Sequence, residues 1–220
     1  IPQSTLAEWV GQMGVTLQPL VDALKVEMLT YPVLHADETP VAMLDPGAGK
    51  THRAYLWSYS IGAFEPIKAV IYDFTDSRAG KHAREFLGDW RGTLVCDDYS
   101  GYKALIADGV TEAGCMAHAR RKFFDLHANN QSQIAQQALT TIQSLYQVER
   151  EVADLEPDER RRIRQEQAKP ILEEFHDWLT RYRLQVPNGS STAKAIDYSL
   201  KRWTALAHYI DDGQVPIDNN

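Results

Sequence analysis

Hydrophobic and polar positions follow two different patterns in the first third of the chain. From residue 3 to residue 30 the apolar side chains recur every three or four positions, which predicts helix. Between Tyr31 and Tyr72 they form short β-rich runs, separated by turn residues such as Asp45 to Gly49. This second pattern predicts three consecutive strands in an antiparallel meander.

Helices and strands alternate in the next part of the chain. Residues 77–90 have one apolar helical face, and the run GTLVCDDY reads as a buried strand. A helix, a short strand over Val110 to Cys115 and another helix around His118 follow. The predicted order is β-β-β-α-β-α-β-α, an α/β fold with a mixed sheet. This is the element order of a ribonuclease-H-like core, although fold class alone does not define function.

Residues 125–212 read as nearly all helix, which predicts a long helical insertion. We therefore divide the chain into a helical segment (1–30), a ribonuclease-H-like core (31–124), the helical insertion (125–212) and a final segment (213–220). The first long helix of the insertion has an amphipathic face made of Ile134, Ala138, Ile142, Leu145, Val148, Val152 and Leu155.

Composition indicates a globular, soluble protein. The 220 residues are 44% hydrophobic and 24% charged, and no apolar run is long enough to cross a membrane. Two cysteines argue against a disulfide framework and favour the reducing cytoplasm. The net charge of −7 excludes a surface that is basic throughout, but a local basic stripe is enough for nucleic acid. The first residue is Ile1 rather than Met, so we expect a piece of a longer protein.

Two acidic segments, VLHADETPVAML and GTLVCDDYSGY, carry the main chemical hypothesis. In each, an apolar run ends in a carboxylate: Asp37 in the first and Asp97 in the second. Carboxylates from two neighbouring strands can hold a pair of divalent ions about 4 Å apart, which suits phosphodiester chemistry. Because adjacent strand residues point to opposite faces, we choose Asp97 over Asp98 and expect Glu38 to face away. Asp98 then becomes a candidate helix cap. The structural alternative is that each aspartate only caps a turn or helix.

Three further groups of residues are candidates for supporting roles. Cys115 and His118 form a C-x-x-H pair, which is half of a zinc site, and no second pair stands at a useful spacing. A buried cysteine beside a hydrogen-bonded histidine is the preferred interpretation. Arg120, Arg121 and Lys122 follow and could hold a DNA phosphate or form a solvated helix face. The run ERRRIR, residues 159–164, reads first as a solvated helix surface and second as a phosphate contact.

The motifs HADETP, CDDYSGY, GCMAHARRKF and PIDNN together resemble the bacterial DDE transposases of the insertion-sequence-66 family. This resemblance extends from the first helix to the last residue. It implies a ribonuclease-H-like nucleotidyltransferase of the bacterial cytoplasm that uses two Mg²⁺ or Mn²⁺ ions to cleave and transfer DNA strands. The implied partners are the transposon ends and the target DNA. A homodimer is plausible because both ends must be held together.

The resemblance assigns roles to particular residues. Asp37 corresponds to the first catalytic and metal-binding carboxylate. The second motif in the family usually contains Asp-Gly-Tyr, so Asp97 is the second carboxylate and Asp98 replaces a glycine. Cys115 and His118 match a supporting signature. The third carboxylate of the family is a glutamate a few positions past IDNN, so we expect it beyond Asn220 and expect this chain to be inactive by itself.

Two other function classes stay open. The chain could be a transposase-derived module that binds DNA or a partner through its basic clusters and catalyses nothing. Such a module would bind DNA in a salt-dependent manner without needing Asp97. It could also be a sugar hydrolase that uses two carboxylates without metal, which would require Asp37 and Asp97 to lie well apart.

Overall fold

A mixed five-stranded sheet forms the centre of the protein, in the computed structural model that describes residues 1–219. The strands are β1 (Val33–Leu44), β2 (Thr51–Ile61), β3 (Val70–Thr75), β4 (Thr93–Cys96) and β5 (Thr111–Gly114). Their order across the sheet is β3-β2-β1-β4-β5. β1 and β2 pair antiparallel, as do β2 and β3, whereas β4 pairs parallel with both β1 and β5.

Helices precede, connect and follow the strands. Helix α1 (Gln3–Met28) comes first, and α2 (Lys81–Leu87), α3 (Lys103–Ala107) and α4 (Met116–Asn130) come after β3, β4 and β5. The predicted α/β class with a mixed sheet is confirmed, and so is the order of its elements. The remaining helices are α5 (Gln133–Val152), α6 (Pro157–Ile163), α7 (Lys169–Arg183), α8 (Ser191–Lys201) and α9 (Trp203–Ala207). Within residues 1–219 none of the helices is both long and apolar enough to span a bilayer.

Helix α2 is shorter than the predicted 77–90 because glycines bound it. A Cβ on Gly80 would lie 2.4 Å from the carbonyl oxygen of Gly101, so only glycine fits this close approach. Gly88 ends the helix with a φ of +54°, a region that favours glycine. The contact at Gly80 places the start of α2 against the short 3₁₀ turn Ser100–Tyr102, which follows β4.

Both faces of the sheet are covered, and alternation along β1 decides which side chain faces which core. Leu34 and Ala36 pack with Trp57 on one face, together with α2 and the end of α1. Val33 packs with Val95 on the other face, in a core shared with α4, α5, α7 and α8. The helical region predicted as an insertion therefore packs directly on the sheet.

Helix α1 contacts the rest of the chain mainly through its C-terminal end. Of its 26 residues only Met28 is fully buried. Leu24 is half-buried against the core, and the other large apolar side chains of α1 are exposed: Leu6, Trp9, Val10, Met13, Val15, Leu17, Leu20, Val21 and Val26.

The segment ERRRIR is a solvated helix surface only in part, because Arg161 and Arg162 are exposed whereas Arg160 and Arg164 are buried. Arg164 is completely buried, in a π-helical turn (Arg164–Ala168) between α6 and α7. Its guanidinium donates to the carbonyl oxygens of Tyr209, Asp212 and Val215, at 2.7, 3.0 and 2.9 Å, and pairs with Glu149 at 2.6 Å. The arginine therefore connects the segment from Tyr209 to Val215 to Glu149 on helix α5. Residues 209–219 are called the returning chain below.

Arg160, one helical turn earlier, is buried in the same way. Its side chain donates to the carbonyl oxygens of Val152, at 3.2 Å, and of Gly213. A Cβ on Gly213 would lie 1.8 Å from the carbonyl oxygen of Pro157, so the returning chain packs closely against the start of α6. The i, i+4 spacing of Arg160 and Arg164 puts both on one helix face. That face packs against the segment from Tyr209 to Val215 and not against solvent.

Replacing Arg164 by Met is expected to destabilise the fold strongly. The change leaves the Glu149 carboxylate without its partner in a largely buried position, and breaking a buried pair costs about 3–5 kcal/mol. Urea unfolding monitored by circular dichroism measures the loss. Arg162→Met is the matched control, because Arg162 pairs with Glu159 and Glu166 on an exposed part of the same helical run. Equal stability losses in the two variants would contradict the structural role of Arg164.

Candidate functional site

The parallel pairing of β1 and β4 sets the heights of Asp37 and Asp97. The last paired residues are His35 and Val95. Asp37 lies two residues further along β1, which continues to Leu44, so this aspartate is inside the strand and not at its end as predicted. β4 ends at Cys96, and Asp97 is the next residue. By alternation Asp37 follows on the face of β1 that carries Val33. Extending the register by two residues would bring Asp37 and Asp97 to the same height.

Each of these aspartates also makes a local hydrogen bond. Asp37 Oδ1 accepts the main-chain N–H of Glu38 at 3.0 Å, and Asp97 Oδ1 accepts that of Tyr99 at 2.9 Å. Both side chains are half-buried. The bond to Tyr99 is a turn bond of the kind expected from the structural alternative, so Asp97 both shapes the loop after β4 and stands at the strand end.

Asp98 does not cap the helix that follows it, contrary to the prediction. The 3₁₀ turn that begins at Ser100 has no side-chain cap. Asp98 instead forms ion pairs with Lys201, at 3.1 Å, and with Arg202, at 3.6 Å. Arg202 also pairs with Glu112 at the edge strand β5. Asp98 therefore ties the loop after β4 to the end of α8.

Glu38 points to the opposite face of the sheet from Asp37 and is buried there. Its carboxylate accepts hydrogen bonds from Arg78 Nε and from the Tyr102 hydroxyl, both at 2.8 Å. The Arg78 guanidinium lies 4.1 Å from the ring centroid of Tyr99. Glu38 thus connects β1 to the loop that follows Asp97.

Burial raises the pKa of Glu38, and the negative charge of Asp97 raises it further. The hydrogen bonds from Arg78 and Tyr102 act in the other direction. Asp97 is therefore close enough to influence the buried carboxyl next to Asp37. Desolvation lowers the pKa of Arg78, but the hydrogen bond to Glu38 and the negative charge of Asp97 both raise it, and the net shift is upward. Of these two, the hydrogen bond has the larger effect.

The end of the described chain lies against His35. This histidine is 6% exposed, and burial lowers its pKa to about 4, although the charge of Asp218 partly opposes the shift. The carbonyl of Ile217 accepts the N–H of Met116 at 3.0 Å, at the start of α4. Residues 217–219 therefore run beside the strand position two residues before Asp37. Asn220, the last residue of the predicted final segment, lies outside the described residues.

Cys115 is buried, as predicted, but its thiol contacts the returning chain. Its Sγ donates to the side-chain oxygen of Asn219 at 2.9 Å, and burial raises the pKa of this thiol. His118 Nδ1 is buried and has no hydrogen-bond partner among residues 1–219. The hydrogen bond expected for the His118 side chain is therefore not made at Nδ1 by any of residues 1–219.

The basic cluster after His118 divides over two sides of α4. Arg120, Arg121 and Lys122 are all exposed. Arg120 lines a groove toward α5, whereas Lys122 lines a groove toward α8 and lies 5.5 Å from the ring centroid of Tyr198. The three side chains therefore do not form a single contact patch.

No group of three or more His, Cys, Asp or Glu side chains is arranged to hold a metal ion within residues 1–219. Asp37 and Asp97 provide two carboxylates of the type that hard divalent ions prefer. Further residues next to them were not identified from the sequence: Arg78, Tyr102 and Asp218. Only Asp218 carries a local signal, since it belongs to the PIDNN motif.

Comparison with known proteins identifies the family. The model of the transposase IS66 family matches residues 1–220, so the chain belongs to this family. Among curated proteins it is 35% identical over 233 residues to uncharacterized protein y4qI of Sinorhizobium fredii (strain NBRC 101917 / NGR234), and 33% identical over 239 residues to uncharacterized protein y4hP of the same strain. The matches cover 100% and 99% of this chain but 43% of each relative, so the chain spans less than half of their length.

Replacing Tyr102 by Phe tests the buried network around Glu38. The change removes one of the two donors to a buried carboxylate, and hydrogen bonds to charged groups contribute about 1.5–3 kcal/mol. We expect a loss of stability in that range, measured by urea unfolding. Tyr72→Phe is the matched control, because Tyr72 is 62% exposed on β3. An unchanged unfolding midpoint in Tyr102→Phe would show that Glu38 does not depend on this hydroxyl.

Proposed function

We propose that this chain is part of the catalytic domain of a DDE-type DNA transposase, with Asp37 and Asp97 as its first two catalytic carboxylates. The observation that carries the proposal is the parallel β1–β4 pairing, whose last pair, His35 and Val95, stands two residues before Asp37 and Asp97. Membership of the IS66 family supports the reaction class. The sheet order β3-β2-β1-β4-β5, in which only β2 is antiparallel to its neighbours, supports the proposed ribonuclease-H-like assignment.

Asp37 and Asp97 would hold Mg²⁺ or Mn²⁺, two ions in the intact enzyme. Bound there, the ions would activate the attacking oxygen and stabilise the leaving oxygen of a phosphodiester. The two described carboxylates fit this role in donor type and in register. The third ligand is proposed to be a glutamate beyond Asn220. The position of residues 217–219 beside His35 supports this, because the chain returns to the same sheet edge.

The proposed role of the surrounding side chains is to position the acids. Glu38, bound by Arg78 and Tyr102, anchors the end of β1 next to Asp37 and the loop next to Asp97. Arg202 fixes the neighbouring Asp98. Cys115 is proposed to support the site by holding Asn219. DNA is the proposed partner, with Arg120, Arg121 and Lys122 as candidate phosphate contacts, and two copies would hold the two ends.

The second candidate function is a transposase-derived module that binds DNA without catalysis. It is favoured by one observation: Arg120, Arg121 and Lys122 are all exposed on α4, where they are accessible to phosphate groups. The two candidates differ in whether Asp97 is needed. A metal-free sugar hydrolase is disfavoured, since it needs two carboxylates set well apart and the strand register argues for proximity.

Asp37→Asn and Asp97→Asn, each made in the intact protein, are expected to reduce metal-dependent DNA strand cleavage by about 10³-fold or more. Loss of metal-assisted charge stabilisation is worth several kcal/mol, and each 1.36 kcal/mol is tenfold in rate. A nicking and strand-transfer assay with Mg²⁺ or Mn²⁺ measures the effect. Asp45→Asn is the control, because Asp45 lies in the exposed turn between β1 and β2.

Residues 1–220 alone are expected to give no strand transfer in the same assay. Robust cleavage by residues 1–220 that depends on Asp97 would place the third carboxylate inside this chain. Full cleavage by the intact Asp97→Asn variant would reject the catalytic assignment and favour the binding module.

A further inference from the structure

Helices α4 and α5 leave a groove between them that leads toward the proposed catalytic aspartates, Asp37 and Asp97. The two helices are joined by residues 131–132 and form a groove of about 570 Å³. Its polar lining comes from both helices and from the returning chain: Arg120, His127, Gln136, Gln143, Arg150 and Asp218. Three of these belong to α5, in the region predicted as an insertion.

Two guanidinium groups dominate the charge of this groove. Arg120 and Arg150 are exposed, and neither forms a salt bridge with any of residues 1–219. Of the two acids beside Arg150, Glu149 pairs with the buried Arg164, and Glu151 accepts a hydrogen bond from Gln147, which in turn accepts one from Arg150. The one carboxylate in the lining, Asp218, is hydrogen-bonded by the Tyr146 hydroxyl. The groove is therefore locally basic in a chain whose formal net charge is −7.

The position of the groove connects it to the proposed active site. Arg120 and Arg150 line its end beside Ala117 and Asp218, close to the start of α4. Asp218 in turn acts electrostatically on His35, two residues before Asp37 on β1. Cys115, directly before α4, donates its main-chain N–H to the carbonyl of Cys96 at 3.3 Å, at the end of β4. An extended polyanion in the groove would therefore pass close to the end of β4, which Asp97 follows.

The groove on the other side of α4 is a weaker candidate for the same ligand. It is lined by Lys122 and Lys194, but Asp125 lies among them. Cation–ring contacts do not separate the two grooves, because Lys122 lies 5.5 Å from the ring centroid of Tyr198 and Arg120 lies 5.8 Å from that of Phe124. Arg, unlike Lys, also offers the planar fork of donors that suits phosphate oxygens.

We propose that the α4–α5 groove binds the phosphodiester backbone of the DNA strand next to the reacting phosphate, with Arg150 as a phosphate contact. This inference rests on the proposed function, since it assumes that the substrate is DNA. Arg120 lines the groove from α4 and Arg150 from α5, and the amide groups of Gln136 and Gln143 can donate to further backbone oxygens. Such contacts orient the strand and carry no base specificity.

Arg150→Gln in the intact protein tests the groove. Each phosphate contact contributes about 0.9 to the slope of log affinity against log salt for duplex DNA. The variant should lower that slope by about 1, so that the increase in Kd between 50 and 200 mM salt becomes about 3.5-fold smaller. Fluorescence anisotropy with a labelled duplex and with a labelled single strand, both of unrelated sequence, measures the slope.

Arg181→Gln is the matched control, since it removes the same charge from an exposed position on α7 that does not line the groove. Its salt slope should equal that of the unmodified protein. Equal slopes for Arg150→Gln and Arg181→Gln, with unchanged melting temperatures, would overturn the groove proposal. A lower slope for the duplex, the single strand or both would support it and would show which form of DNA lies there.

The groove and the catalytic assignment fail in different ways. If Asp97→Asn abolishes cleavage but Arg150→Gln leaves the salt slope unchanged, only the groove proposal is wrong. If Arg150→Gln lowers the slope but Asp97→Asn still cleaves DNA, the catalytic assignment is wrong and the groove remains a DNA contact.

Discussion

The parallel pairing of β1 with β4 is the constraint on which the rest of the site depends. Only three residue pairs define it, and all six residues are buried. Because side chains alternate with a period of two, a slip of one residue would send Asp97 to the opposite face from Asp37. The register is protected by what each face buries: Leu94 packs among aromatic residues on one side, and Val95 packs against the helices on the other.

A second constraint holds the C-terminal part of the chain near β1 and β4. Arg160 and Arg164 donate hydrogen bonds to main-chain carbonyl groups between Tyr209 and Val215. Buried carbonyl groups need donors, and here two arginines supply them. The helical region is therefore part of the site's framework, since its own buried charges hold residues 217–219 near His35.

Charge is distributed unevenly around the site in a way that suits a polyanionic substrate. The buried acids are matched by cations or hydroxyl donors: Glu38 by Arg78 and Tyr102, and Glu149 by Arg164. Arg120 and Arg150 have no such carboxylate partner among residues 1–219. The net charge of the protein is negative, but the groove between α4 and α5 is basic. This is possible because Glu38 and Glu149 are paired with other side chains and do not neutralise Arg120 and Arg150.

Local pattern by itself determined the order of strands and helices, because apolar periodicity reports which face of an element is buried. It also selected Asp37 and Asp97 as candidates, but it placed Asp37 at a strand end, whereas β1 continues to Leu44. It could not show which residues would pack against each face of a helix or strand. Arg160 and Arg164 look like an exposed basic run until the chain from Tyr209 to Val215 folds over them, and Asp98 finds Lys201 and Arg202 more than a hundred residues away. Those partnerships join residues distant in the chain, so only the tertiary structure decided them.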